Sequence, residues 1–277
     1  MTALIIAELT IRETQRRRIL WITLLLGGLF LAVFGLGFHY IYMDITENLN
    51  NPEELPVIVG VLLTAGLFAI NFLIIIIAVL ISVTAVSNEI DTHTIEAILT
   101  KPVRRWEILI GKWLGFAALL IIYSILLTGG LLLIVYLRSG FIVNNLFLGI
   151  AMMVLQGLVV LTLTIAGGTR LSTLSNGVMA FMMYGVAFIG GWVEQIGSLM
   201  RNETAVDIGI ITSLIMPSEI LWRKALSLFQ PQFTSSIMTG GPFAIASQPS
   251  DLMIGYAIIY LLALLAFALI SFSRRDI

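Results

Sequence analysis

The chain has 277 residues, of which 59% are hydrophobic and only 11% are charged, whereas an ordinary soluble domain carries about 25% charged residues. At a mean hydropathy of +1.04, a soluble fold would have too little interior to bury the apolar surface. The same composition excludes a disordered chain, a coiled coil and collagen, so we predict an integral membrane protein. The net charge of −1 gives no reason to expect nucleic-acid binding. The absence of cysteine excludes disulfides and thiolate ligands, and the two histidines lie too far apart in the sequence to suggest a histidine-rich metal site.

The first predicted element is a cytoplasmic amphipathic helix within residues 1–18. Leu4, Ile5 and Leu9 lie on one side of it, and charged residues are available to the other: Glu8, Arg12 and Arg16. A basic amphipathic helix in front of a span suits an anionic inner leaflet, so membrane lipid is an expected partner.

Six apolar stretches follow, each long enough to cross a bilayer as a helix, since a span needs about 20 mostly apolar residues. They are residues 19–42, 57–86, 108–137, 146–166, 174–193 and 252–272. The first is too long for a signal-peptide core and no small-x-small cleavage site follows, so we predict that it is retained. The fold class is therefore all-α, with residues 1–277 forming one transmembrane domain.

Basic residues give the predicted orientation, because cytoplasmic loops carry an excess of lysine and arginine. With the N-terminus inside, eleven of the 15 basic residues fall in or beside cytoplasmic segments. The four others fall in outer segments: Arg138, Arg201, Arg223 and Lys224. Both termini are thus predicted to be cytoplasmic, in a plasma or inner membrane.

The outer segment 194–251 is too apolar between Asp207 and Phe229 for a plain loop. Pro217 interrupts it, and proline ends or kinks a helix. We expect two short helices with a break, which either dip into the outer membrane face or lie on it as an interfacial amphipathic helix without a functional role.

The centres of the six spans contain no ionisable side chain, which argues against a secondary transporter or an ion-selective pore. Asn71 and Gln156 are polar exceptions that could line a substrate path, although such residues more often form interhelical hydrogen bonds. No catalytic constellation is visible, and Gly111-Lys112 precedes a tryptophan, so the phosphate-loop hydroxyl is missing. We predict no catalytic residue, no metal and no ATPase activity in this chain.

The cytoplasmic link 87–107 has the pattern of a short amphipathic helix. Asp91 or Thr92 could cap it, and acidic residues including Glu89 lie near its start. An apolar stripe follows at helical spacing, formed by Ile95, Ile98 and Leu99. Pro102 stops the helix, and Arg104 and Arg105 precede the third span. The pattern fits a helix that receives a mechanical push, and it equally fits a membrane-surface helix with positive-inside arginines.

This link resembles the intracellular segment of ABC-2 type transporter permeases. The similar residues are Glu89, Thr92 or Thr94, Ile95, Ile98-Leu99, Lys101-Pro102, Arg104-Arg105 and Gly111-Lys112, whereas His93 stands where the family often has glycine. The N-terminal Ala7-Glu8-Leu9, the outer segment from Met216 to Arg223 and the C-terminal segment from Phe272 to Asp276 are also similar to the family.

The resemblance implies the permease subunit of an ATP-driven exporter, with six spans and a cytoplasmic coupling helix between the second and third. The coupling residues would be Glu89, Asp91, Thr92, Ile95, Ile98, Leu99, Pro102, Arg104 and Arg105. It also implies a homodimer or a pseudo-symmetric dimer, and a separate ABC ATPase subunit that binds ATP and Mg²⁺, with no cofactor on this chain. The alternatives are a non-transporting membrane scaffold or assembly subunit and a secondary transporter.

Overall fold

The computed structural model describes residues 2–16, 18–48, 54–84, 104–143, 145–229 and 249–274. These residues form helices and no strand. The helices are α1 (Thr2–Arg16), α2 (Arg18–Asn48), α3 (Leu55–Ser82), α4 (Arg105–Ser139), α5 (Leu146–Gly168), α6 (Thr173–Leu199), α7 (Glu203–Ile215), α8 (Ser218–Phe229) and α9 (Asp251–Ser273).

Six of these helices are long and apolar enough to cross a membrane, namely α2, α3, α4, α5, α6 and α9. The predicted all-α fold with six spans is confirmed. Helix α4 has 35 residues, about 52 Å at 1.5 Å per residue, whereas the hydrocarbon core is about 30 Å thick. Helices α2 and α6 also extend beyond the predicted spans, by six residues at the C-terminal end of each.

The centre of the bundle is formed by α3, α4 and α5. In the most apolar window of α3, 61% of the residues are buried, compared with 17% in α2 and in α9. Helix α2 runs parallel to α4, since Gly27 faces Leu127 and Leu31 faces Gly130. Helix α9 lies at the periphery, where its apolar side chains face outward.

The two ends of the bundle can be named from the connections. The α1 end carries α1, Arg104 and the tight turn at residues 169–172 between α5 and α6. The opposite end carries the turn at residues 200–202 between α6 and α7 and the start of α9. Asn176 Nδ2 donates to the Thr164 carbonyl (2.8 Å), which fixes α5 and α6 as antiparallel neighbours.

Helix α1 packs along the first turns of α4 instead of standing apart from the bundle. Glycines make this close approach possible, because a Cβ at Gly111 would lie 2.6 Å from Ile6 Cβ and one at Gly115 would lie 2.9 Å from the Ala7 carbonyl oxygen. At the start of both helices, Thr2 Oγ1 donates to Glu107 Oε1 (2.5 Å). The two helices thus form one unit at the α1 end.

The buried face of α1 is not its most apolar face. Ala7, Thr10 and Thr14 are buried, and the two threonine hydroxyls donate to carbonyls of their own helix. Leu4 and Leu9 are 68% and 59% exposed. The large apolar side chains therefore point away from the protein, where a membrane surface can cover them.

The packing of α1 predicts different effects for glycine substitutions in α4. Gly111→Ala should lower the stability of the purified protein by about 1–3 kcal/mol, because the added methyl group overpacks the contact with Ile6. Gly129→Ala is the matched control, since no atom lies within 4 Å of its Cβ position and alanine is the better helix former. Thermal unfolding in detergent measures both variants, and equal melting temperatures would contradict the packing of α1 on α4.

Candidate functional site

Helices α7 and α8 form a re-entrant pair. Asn202 is the N-cap of helix α7, and its Oδ1 accepts a hydrogen bond from the Ala205 amide (3.2 Å). From there α7 runs back along α6 into the bundle. The chain then bends by 104° between α7 and α8 at Met216 and Pro217. Helix α8 returns toward the opposite end, where Phe229 packs on Gly149 near the start of α5.

Small residues let α7 lie directly against α6. A Cβ at Gly197 would lie 2.7 Å from Ala205 Cβ, and a Cβ at Gly190 would overlap the Thr212 side chain. Two tyrosines of α9 complete the end of α7, because the Tyr256 and Tyr260 hydroxyls donate to the carbonyl oxygens of Leu214 (2.5 Å) and Ile215 (2.8 Å). Because Pro217 stops the helix from continuing, these carbonyl oxygens have no intrahelical partner, and the two hydroxyls satisfy them.

Nine of the twelve residues of helix α8 are buried, and the other three are partly buried. Trp222 packs edge-to-face on Phe68 of α3, with ring centroids 4.8 Å apart, and Lys224 Nζ contacts Asp251 Oδ1 (2.9 Å) at the start of α9. Ile220 and Leu221 have no exposed surface. Of the two alternatives for this segment, the structure favours helices that dip into the bundle over a helix lying on its surface.

The re-entrant pair carries charges into the interior. Arg223 Nη2 donates to Glu194 Oε2 of α6 at 2.7 Å, and the two side chains are 3% and 12% exposed. Glu219 lies one turn before Arg223 and is 2% exposed. Its carboxyl group packs over Gly191, where a Cβ would lie 2.9 Å from the Glu219 carboxyl carbon.

Asn71 of α3 and Tyr184 of α6 extend this set of polar side chains toward the middle of the spans. Asn71 Nδ2 donates to Tyr184 Oη (3.1 Å), and both residues are buried. Tyr184 precedes Gly191 by two helical turns and therefore lies on the same face of α6. We refer to Asn71, Tyr184, Glu194, Glu219 and Arg223 as the polar cluster.

Several atoms of the polar cluster have no hydrogen-bond partner among the described residues. They are Asn71 Oδ1, Glu219 Oε2, and Arg223 Nε and Nη1. A buried polar group without a partner costs about 1–3 kcal/mol, and more when it is charged. The cluster therefore offers donors and acceptors that a water molecule or a polar group of a transported molecule can satisfy.

Gln156 is the second amide predicted for a substrate path. It has no exposed surface, and neither of its amide atoms has a partner within the described parts of the chain. The next residue, Gly157, fits between Ile74 of α3 and Leu120 of α4, each 3.0 Å from its Cβ position. Because Ile74 follows Asn71 by one turn, Asn71 and Gln156 lie at a similar depth in the bundle.

Only two of the predicted coupling residues, Arg104 and Arg105, lie among the residues that the structure describes. Glu89, Asp91, Thr92, Ile95, Ile98, Leu99 and Pro102 lie outside the described residues. Arg104 is the N-cap of α4, and its amide donates to Glu107 Oε2 (3.2 Å). Arg105 is the first residue of α4.

Sequence reasoning missed Glu194, Glu219 and Arg223. The charge count placed Arg223 in an outer segment, and the fold buries it between helices. A signal was present, because Glu219 and Arg223 flank the apolar residues Ile220, Leu221 and Trp222 at i, i+4 spacing. That spacing predicts an exposed pair on one helix, whereas Arg223 pairs with Glu194 across two helices.

The contacts of the two glutamates predict unequal costs for neutralising them. Glu194→Gln should lower the free energy of unfolding by about 3–5 kcal/mol, because it leaves the Arg223 charge buried without its counter-charge. Glu219→Gln, an isosteric control on the same cluster, should cost less, because Glu219 Oε2 makes no hydrogen bond that would be lost.

Unfolding in detergent with increasing denaturant measures both costs. The double variant Glu194→Gln, Arg223→Gln should lose less than the sum of its single variants, since removing both charges removes the unpaired one. A larger loss for Glu219→Gln than for Glu194→Gln would contradict the pairing that the structure describes.

Comparison with known proteins gives the family. A search of curated proteins finds no match to the chain. A family model described as ABC-2 family transporter protein matches residues 4–277, a range that includes the spans, the link 87–107 and the re-entrant pair. With six helices able to cross a membrane, the chain belongs to the ABC-2 family of transporter proteins and is a multi-pass membrane permease.

Proposed function

We propose that this chain is the permease subunit of an ATP-driven exporter and that a separate ABC ATPase subunit supplies ATP hydrolysis. The family match along residues 4–277 carries the proposal, because it includes the predicted coupling link as well as the spans. In this assignment ATP and Mg²⁺ bind to the partner subunit, and this chain contributes the membrane path.

The geometry at the α1 end supports a role for the link in coupling. The link joins the C-terminal end of α3 to Arg104, the N-cap of α4. Glu107, one turn into α4, accepts hydrogen bonds from the Arg104 amide and from Thr2 of α1. A displacement of the link would therefore move the start of α4 together with α1.

The polar cluster and Gln156 support a path through the opposite half of the bundle. Asn71 and Gln156 offer unpartnered amide atoms near mid-span, and the re-entrant pair offers Glu219 and Arg223 closer to the opposite end. A small shift of α3 or α6 changes which of these atoms are paired. Rearrangement of the spans by the ATPase would thus alter the polar surface that a substrate meets.

In the same proposal the chain acts as a dimer, with the substrate passing between two copies of this chain or between this chain and a similar permease. Helix α6 exposes an apolar stripe on the face away from the bundle, formed by Val178, Met182, Val186 and Ile189. Gly185 lies in this stripe with no atom within 4 Å of its Cβ position, so a second helix can approach closely there.

Substitutions in the link test the coupling. Ile95→Ala combined with Leu99→Ala, or Glu89→Ala alone, should reduce substrate-stimulated ATP hydrolysis and transport at least tenfold, because each removes part of the surface that docks on the ATPase. Proteoliposomes containing the permease and a co-expressed ATPase with a phosphate loop provide the measurement. Membrane insertion should be unchanged.

The matched control is Glu47→Ala, which removes an exposed carboxylate near the C-terminal end of α2, at the opposite end of the bundle. It should retain wild-type ATP hydrolysis and transport. The proposal fails if no nucleotide-hydrolysing subunit co-purifies with the chain, which is the result expected of a scaffold. It also fails if the link variants keep full substrate stimulation of ATP hydrolysis.

Cysteine labelling tests the orientation, since the chain has no native cysteine. Met200→Cys at the α6–α7 turn should react with a membrane-impermeant maleimide in intact cells, because the distribution of basic residues predicts that this turn lies outside. Leu171→Cys at the α5–α6 turn should react only after the membrane is opened. The reverse pattern would overturn the predicted cytoplasmic location of both termini.

A further inference from the structure

A basic pocket lies at the α1 end between the α5–α6 turn and the end of α9. Its volume is 430 Å³, and its lining residues are Thr169, Arg170, Phe267, Ile270, Ser271 and Arg274. We call it the Arg170 pocket. It is separate from the polar cluster, which lies nearer the opposite end.

Arg170 is held in a fixed position in this pocket. Its Nε donates to Ser271 Oγ (3.0 Å), and its guanidinium carbon lies 5.4 Å from the centre of the Phe267 ring. Ser271 is held in turn, because its hydroxyl oxygen lies 3.0 Å from Thr169 Oγ1. With Nε occupied and the ring beneath it, the guanidinium is oriented before any ligand binds.

Arg274 provides the second charge of the Arg170 pocket. It is exposed, and it makes no hydrogen bond or ion pair through its side chain with the described residues. Among the described residues that line the pocket there is no carboxylate. Two arginines therefore line one cavity without a counter-charge from those residues, and guanidinium N–H donors match the oxygens of a phosphate group.

The surroundings of the pocket indicate where that phosphate comes from. Below the arginines, Phe267 and Ile270 are 46% and 53% exposed on the outer side of α9, the peripheral helix. The pocket lies where α5 and α9 end, so it combines a basic top with an apolar wall. A phospholipid has the same arrangement, with a phosphate above its acyl chains.

We propose that the Arg170 pocket binds the phosphate group of an anionic phospholipid, with the acyl chains along Phe267 and Ile270. Anionic lipids are attracted to basic pockets between membrane helices. The bound lipid would neutralise Arg170 and Arg274 and would hold the α5–α6 turn against the end of α9. This site is independent of the ATPase coupling proposed above.

Thermal unfolding of the full-length chain in detergent tests the proposal. Phosphatidylglycerol should raise the melting temperature of the wild-type chain, whereas phosphatidylcholine with the same acyl chains should not. For Arg170→Gln combined with Arg274→Gln, the concentration of phosphatidylglycerol that gives half of the shift should rise about thirtyfold, since each arginine contributes to attracting the anionic lipid. Arg170→Lys combined with Arg274→Lys should keep most of the shift, because both charges remain.

Two controls separate the alternatives. Arg138→Gln, which removes an exposed arginine from the other end of α4, should leave the effect of phosphatidylglycerol unchanged. Arg274→Gln alone should weaken it about fivefold without disturbing Arg170, which keeps the test valid if the double variant folds poorly. The proposal is overturned if inorganic phosphate reproduces the shift, if both lipids act equally, or if Arg274→Gln responds like the wild-type chain.

Discussion

The contact between Glu194 of α6 and Arg223 of α8 is the constraint on which the inner packing of this protein depends. A bilayer core contains no water to solvate a charge, so an arginine carried inward by a re-entrant helix needs an opposite charge from the protein. Helix α6 supplies that charge one turn after Gly191, where the backbone is bare enough for Glu219 to pack against it.

Other contacts hold the two short helices inside the bundle of spans. Helix α7 ends two residues before Pro217, and its last two carbonyl oxygens accept hydrogen bonds from the hydroxyls of Tyr256 and Tyr260. Helix α8 then packs on α5 through Phe229 and on α3 through Trp222. Helix α8 therefore contacts several spans at once.

The two ends of the protein differ in the kind of contact that holds them. The opposite end is held by buried charges and by aromatic packing around α8. The α1 end is held by close backbone contact between α1 and α4 at Gly111 and Gly115, with Glu107 joining their first turns. Helix α4, with 35 residues, connects this two-helix unit to the other end of the bundle.

The sequence by itself determined the class of the protein, the number of its spans and its family resemblance. These follow from local properties, because an apolar stretch of about 20 residues can satisfy its backbone in a bilayer only as a helix. Pro217 likewise predicted the break between α7 and α8. Asn71 and Gln156 stood out because polar residues are rare within spans.

Only the tertiary structure decided what those polar residues meet. The partner of Asn71 is Tyr184, 113 positions away, and the partner of Arg223 is Glu194 instead of Glu219 on its own helix. The tertiary structure also decided which face of α1 is buried. Close packing on Gly111 and Gly115 buries its small residues and leaves Leu4 and Leu9 exposed. Pattern and spacing describe one helix at a time, whereas these contacts depend on how closely two backbones approach.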